Sequence, residues 1–215
     1  MNFDTVIFDL DGTLLNTIDD LTDSVNYALN VCGFPTRSVD EIRGFVGNGI
    51  RRTLKRAAPE NTSDEIQSKM YRLFGECYLA HCADKTRPYD GITGMLKKLN
   101  EHGIKSAIVS NKSDAAVKKL SDIFFGGLIS AAAGDCDSRQ RKPAPDSVFY
   151  VMEQLGSGKS SCIYCGDSEV DIMTAANAGI PCISAAWGFK GRAFLEKYNA
   201  EMIADTPADI FRYII

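Results

Sequence analysis

The apolar positions of this chain change period along its length, and the changes divide it into two kinds of segment. Val6-Ile7-Phe8 is a short apolar, partly β-branched run, the pattern of a buried strand. From about Thr17 to Cys32 the spacing becomes helical, with Leu21, Val25, Leu29 and Cys32 on one face, and Gly33 and Pro35 close the segment. A shorter helix is expected over Val39–Phe45. After the break at Gly47-Asn48-Gly49, another is expected over Arg51–Ala58, ending at Pro59. Ser63 caps a longer one that carries Ile66, Met70, Leu73 and Cys77 and runs to about Cys82. No strand pattern stands between Leu15 and Thr86, so an all-helical block follows the first strand and reads as an insertion.

From the turn cluster Arg87-Pro88-Tyr89-Asp90-Gly91 onward, strands and helices alternate. Strands are expected at Ser106–Val109, Leu128–Ala131, Cys162–Cys165, Pro181–Ala185 and Glu201–Ala204. Helices are expected at Ile92–His102, after Ser113, after Pro145 and over Val170–Ala178. Such alternation implies βαβ units and a parallel sheet, the α/β class.

The chain has 215 residues, 45% hydrophobic and 24% charged, which suits one large domain or one domain carrying an insertion. A net charge of -4 gives no basic character that would suit nucleic acid. No apolar run reaches the roughly 18 residues that span a bilayer. Met1-Asn2-Phe3-Asp4 has no basic n-region, so no signal peptide is expected. Seven scattered cysteines fit a reducing, cytoplasmic setting better than a disulfide framework.

Asp9-Leu10-Asp11-Gly12-Thr13 follows the first strand directly. Two carboxylates two residues apart at the end of a buried strand are costly unless a cation or a proton balances them. A hard cation held through oxygen would do so, and a carboxylate held there could attack phosphorus. Three other strand ends also carry polar groups: Ser110-Asn111, Lys142 in Arg141-Lys142-Pro143, and Asp167 with Asp171. Ligands of open α/β sheets gather beyond the carboxyl ends of strands. Carboxylates for a magnesium ion, a lysine, a hydroxyl and an amide are the groups that phosphoryl transfer needs. The residues alone leave open which of Asp9 and Asp11 attacks.

These four segments, in this order, resemble the motifs of the haloacid dehalogenase-like hydrolases, and the resemblance spans nearly the whole chain. It implies a Rossmann-like parallel-sheet core from residues 1–15 and 87–215, with an inserted α-helical cap from residues 16–86 that sets specificity. Within the family the chain is most similar to phosphoglycolate phosphatase-like members. Carried over by position, Asp9 would be the nucleophile that forms an aspartyl-phosphate, and Asp11 the general acid and then base, its carbonyl also a metal ligand. Asp9, Asp11, Asp167 and Asp171 would surround Mg2+, Asp171 as a ligand or as a partner of metal-bound water. Thr13, Ser110, Asn111 and Lys142 would bind phosphate. Val46-Gly47-Asn48-Gly49 resembles the glycine loop of phosphoglycolate phosphatases. With Gly47, Gly49, Arg51 and Arg52, and with Arg56 nearby, it would hold a substrate carboxylate or second phosphate. The expected partner is a small phosphorylated metabolite, with no nucleic acid or membrane, and the protein a monomer or homodimer. Thr13 favours hydrolysis over a sugar-phosphate mutase, where valine is frequent. A pyrophosphatase, a phosphonatase (with Lys55 as Schiff base) and a non-catalytic binding module also compete with a phosphomonoesterase.

Three patterns are set aside. Gly158-Lys159-Ser160 mimics the end of a P-loop, but it falls between a helix and a strand and lacks the first glycine. Cys162 and Cys165 have CxxC spacing, but an odd separation within a strand sends the thiols to opposite faces. His81 and His102 lie away from the motif loops, so neither a Ser-His triad nor a histidine metal site is expected.

Overall fold

The computed structural model describes residues 3–215. In chain order the elements are β1 (Thr5–Phe8), β2 (Leu15–Asn16), α1 (Ile18–Val31), α2 (Val39–Phe45), α3 (Ile50–Ala57), α4 (Asp64–His81) and β3 (Arg87–Pro88). Then come α5 (Ile92–Glu101), β4 (Lys105–Ser113), α6 (Asp114–Phe125), β5 (Ala131–Asp135), α7 (Asp146–Leu155), β6 (Cys162–Gly166), α8 (Glu169–Ala178), β7 (Cys182–Ala185), α9 (Arg192–Lys197), β8 (Met202–Ala204) and α10 (Phe211–Ile214). The chain divides into two compact units: the residues up to Asn16 together with Pro88–Ile215, and Thr17–Arg87.

The first unit is an α/β layer structure around a six-stranded parallel sheet of order β5-β4-β1-β6-β7-β8. Strands β1, β6 and β7 are almost wholly buried, as parallel strands with both faces covered are, and all four residues of β1 are buried. From β1 the chain winds outward through β4 and β5, then returns to the other side of β1 for β6, β7 and β8. That reversal is the switch point where an open sheet leaves a crevice. Register decides what lines it. Phe8 pairs with both Ile108 and Cys165, so the residues just past these, Asp9, Ser110 and Asp167, emerge at nearly the same level on adjacent strands about 4.8 Å apart.

The second unit contains α1 to α4, with α1 against α4 and α2 against α3. Val25 and Leu29, one turn apart on α1, and Ile42, Leu54 and Met70 on the other three helices are among its fully buried apolar side chains. Ser38 caps α2 with a reciprocal bond pair to Glu41, and Ser63 caps α4. Asp20, in the first turn of α1, is buried and accepts hydrogen bonds from the Lys85 N–H (3.0 and 3.1 Å to its two oxygens) and the Thr86 N–H (2.8 Å).

Two expectations shift. The third core strand is Ala131–Asp135, not Leu128–Ala131. Alanine and glycine are poor strand formers, so this strand carries little local signal; the more apolar Leu128 instead closes the turn after α6 through its N–H to Phe125 O. Strand β4 also runs on past its expected end at Val109 through Ser110-Asn111-Lys112, with a register irregularity between Val109 and Ser113. Pairing of Ser113 with Asp135 of β5 holds that extension, a tertiary contact with no local signature. Helices α9 and α10 have no expected counterpart, nor have the two-residue strands β2, where no strand is expected, and β3, where a turn is expected; neither is long enough to show an apolar period. No disulfide links the seven cysteines, and no helix is long and apolar enough to cross a membrane, among the described residues.

Candidate active site

Gly12 shapes the turn after β1. Its φ of +86° lies in the left-handed region, and a Cβ there would stand 2.5 Å from Asp167 Oδ2. The turn returns Gly12 N–H to Leu15 O at 2.9 Å, leaving Asp9 buried (8% exposed) and Asp11 half-buried. Asp167 follows β6 and is 3% exposed, and Asp171 sits in the first turn of α8 with no exposure. Oxygens of Asp9, Asp167 and Asp171 all lie within 4.8 Å of one another.

The Nζ of Lys142, also buried, enters this cluster from the loop after β5. It lies 2.7 Å from Asp171 Oδ1, 2.9 Å from Asp9 Oδ1 and 3.1 Å from the Tyr164 hydroxyl. Asn111 fixes the lysine's backbone. Its Oδ1 accepts from Lys142 N–H at 2.9 Å and its Nδ2 donates to Lys142 O at 3.1 Å. The hydroxyl of Ser110 accepts from the Lys112 N–H at 3.3 Å, and that serine is 5% exposed.

Three buried carboxylates against one buried ammonium leave excess negative charge. Burial, opposed by Lys142 and reinforced by Asp171 and Asp11, pushes Asp9 up to about 7. Burial, with Asp171 and Asp9 adding to it, also raises Asp167 well above the ordinary carboxylate range. Burial alone would lower Lys142, but the Asp171 and Asp9 carboxylates outweigh it and keep the ammonium charged. Burial holds Tyr164 as the neutral phenol. Asp9 Oδ1 is buried and accepts no directed hydrogen bond, although Lys142 sits at ion-pair distance. An all-oxygen set with uncompensated charge fits a hard divalent cation. Asp171 is already engaged: its Oδ1 meets Lys142 and Tyr164, and its Oδ2 accepts from the Ser168 N–H (3.1 Å) and Oγ–H (2.6 Å).

The structure therefore brings Asp9, Asp11, Thr13, Ser110, Asn111, Lys142, Asp167 and Asp171 to one end of one sheet. It also supplies residues that the sequence pattern did not single out. Lys112 Nζ lies 2.8 Å from Asp11 Oδ1, with its side chain 5% exposed. The segment Trp187-Gly188-Phe189 backs the site: Trp187 Nε1 donates to Thr13 O at 2.9 Å, and the Phe189 N–H donates to Asp167 Oδ2 at 2.8 Å. Lys112 stands beside Ser110-Asn111 in the sequence and could have been read with them. The Trp187 segment has only a glycine between two aromatics to mark it.

The pattern of the haloacid dehalogenase-like hydrolases matches residues 6–185. The chain belongs to that family. Among relatives of this hydrolase, a phosphoglycolate phosphatase of Pseudomonas syringae pv. syringae is 31% identical over 207 residues, covering 93% of this chain and 76% of that protein. A phosphoglycolate phosphatase of Psychrobacter arcticus is 29% identical, covering 100% and 97%. In structure, the hydrolase is similar to a candidate phosphoglycolate phosphatase from Lactobacillus delbrueckii subsp. bulgaricus, with a TM-score of 0.93, 34% identity, and 100% and 99% of the two chains covered.

Among the residues expected to choose the substrate, which all lie in the helical unit, Gly49 precedes α3, and both Gly47 and Gly49 have positive φ. Arg51 stacks on the Tyr71 ring at 3.8 Å, and Arg52 donates to Asn48 Oδ1 at 2.9 Å. Arg51, Lys55 and Arg56 line a cavity of about 890 Å³ within this unit, with Tyr71 on its wall, and Arg52 does not.

Proposed function

We propose that this hydrolase is a magnesium-dependent phosphatase that cleaves a small phosphomonoester, with phosphoglycolate the leading candidate, through an aspartyl-phosphate on Asp9. The observation that carries the reading is the convergence of Asp9, Asp167, Asp171 and Lys142 in one buried cluster. The names of the relatives support the substrate.

In this reading Asp9 and Asp167, with the carbonyl of Asp11, would hold magnesium. When bound, the ion offsets the negative charge of the carboxylate and of the phosphate it meets. An oxygen of Asp9 forms a bond to phosphorus as the bond to the leaving alkoxide oxygen breaks. Asp11 donates its proton to that oxygen, then takes a proton from the water that attacks the acyl phosphate, restoring Asp9 and releasing inorganic phosphate. Lys142 and the Ser110 hydroxyl hold phosphoryl oxygens. Asn111 acts through Lys142, whose backbone it grips, and Asp171 holds the Lys142 ammonium beside Asp9. The helical unit selects the substrate, and the cations of its cavity suit a carboxylate.

The test measures released phosphate from para-nitrophenyl phosphate and from a panel of phosphometabolites, with and without magnesium. Turnover with magnesium that is absent in Asp9→Asn is expected. A wild-type protein releasing no phosphate from any of them, or an Asp9→Asn variant that keeps its rate, overturns the reading. Glucose 6-phosphate formed from β-glucose 1-phosphate, without phosphate release, would instead mark a mutase. Arg51→Ala and Arg52→Ala should change substrate ranking or KM; unchanged values in both remove the arginines from substrate selection.

A further inference from the structure

Tyr164 is the largest fully buried side chain among the described residues, and its hydroxyl reaches the middle of the charged cluster without a part in the steps above. An ammonium has three N–H donors and no acceptor. On Lys142 two of these go to Asp171 Oδ1 at 2.7 Å and the Tyr164 oxygen at 3.1 Å, and Asp9 Oδ1 lies at ion-pair distance, 2.9 Å from the nitrogen. The phenol accepts from Lys142, so its single proton is left for Val109 O at 3.2 Å or Asp171 Oδ1 at 3.3 Å. Val109 precedes Ser110 on β4, two strands from β6 across β1. The hydroxyl thus ties together the segments that carry Ser110, Lys142 and Asp171.

We propose that Tyr164 is a positioning residue for phosphoryl transfer: together with Asp171 its hydroxyl occupies two of the three Lys142 donors and turns the third toward Asp9 and the phosphoryl group that Asp9 attacks. This rests on the phosphatase reading. Without the hydroxyl, one donor in a dry pocket has no acceptor, and the ammonium turns to find one. Charge on the phosphoryl oxygens is best met by donors already in place at the transition state. A misdirected donor therefore lowers kcat more than it weakens ground-state binding.

Tyr164→Phe keeps the ring and removes one oxygen. Its kcat is expected to fall about tenfold, the effect of one misplaced charge-assisted hydrogen bond, while KM stays within about twofold. Orthovanadate, which mimics the five-coordinate transition state, should inhibit the variant correspondingly less well, and inorganic phosphate about as well as it inhibits wild type. In a Lys142→Ala background the same substitution should have no further effect on residual turnover. If Tyr164→Phe does not fold, fluorotyrosine at position 164, isosteric and a weaker acceptor, takes its place with the same expected direction. An active wild type whose variant matches it in kcat and vanadate inhibition overturns the proposal, as does equal weakening of vanadate and phosphate or an undiminished loss in the Lys142→Ala background. A wild type with no turnover overturns the phosphatase reading instead.

Discussion

Gly188 sits where two segments of the site touch, and Gly188→Ala tests whether that contact sets the pocket proposed for magnesium. A Cβ at this position would lie 2.3 Å from Asp167 Cβ, 2.4 Å from Gly12 O and 2.7 Å from Asp167 Oδ2. Comfortable carbon–carbon contact is about 3.5–4.0 Å, so the overlap is more than an ångström. Two of the three atoms are backbone or one bond from it, and cannot swing away. Either the loop bearing Trp187 and Phe189 moves, or the end of β6 does. Movement breaks the bond from the Phe189 N–H to Asp167 Oδ2, 2.8 Å long. Overpacking of this kind costs about 1–3 kcal/mol, and an ordinary hydrogen bond about 0.5–1.5 kcal/mol. In a chain of this size each kcal/mol lowers the melting temperature by about 2–4 °C, so a drop of about 3–18 °C is expected. Magnesium demands near-ideal octahedral geometry, and disturbed ligand support typically weakens metal binding by about 10–100-fold. Calorimetric melting in chelator and the magnesium midpoint of activity read the two effects separately. Gly158→Ala, at a position with open space around it, is the control. A Gly188→Ala protein that melts within about 1 °C of wild type, with the same magnesium midpoint, would refute the argument.

Asp9→Asn should alter the pH dependence of metal-free stability as well as activity. An unfolded aspartate ionises near 3.8, and folded Asp9 only near 7, so between these values the unfolded state loses its proton first. Folded stability therefore falls as pH rises through that window, by up to about 1.4 kcal/mol per unit, and an amide in place of the carboxyl removes this dependence. Melting curves in chelator from pH 5 to 8 should show the variant gaining on wild type; parallel curves would contradict the burial argument. Asp20→Ala leaves the Lys85 and Thr86 N–H groups without their acceptor and should lower stability by about 1–3 kcal/mol, with Asp20→Asn recovering part of it. Urea unfolding reads the loss, and a midpoint like that of wild type would show that water replaces the carboxylate.

The alternation of Cys162–Gly166 with Glu169–Ala178, and of Thr5–Phe8 with the helical block, was legible because apolar period and capping are local properties. The charged residues at strand ends stand out in the sequence only as a set, since each alone also fits a turn, a helix start or a solvated side chain. Ala131–Asp135 was misplaced because three alanines, a glycine and an aspartate become a strand only through pairing with β4. Lys112 adjoins Ser110-Asn111 and is marked by them, but its pairing with Asp11 joins residues far apart in the chain and has no local signature.

Residue order and period alone establish an α/β chain with an early helical insertion, and name the acidic, basic and hydroxyl side chains that such a sheet presents at its carboxyl edge. Long-range packing decides the rest. Parallel register sets Asp9, Ser110 and Asp167 side by side, burial raises the Asp9 carboxyl, Asn111 turns toward the Lys142 backbone instead of outward, and Tyr164 and Gly188 become parts of the site. These follow from distances between residues at opposite ends of the chain, such as Phe189 and the turn at Gly12, and no local pattern encodes such a distance.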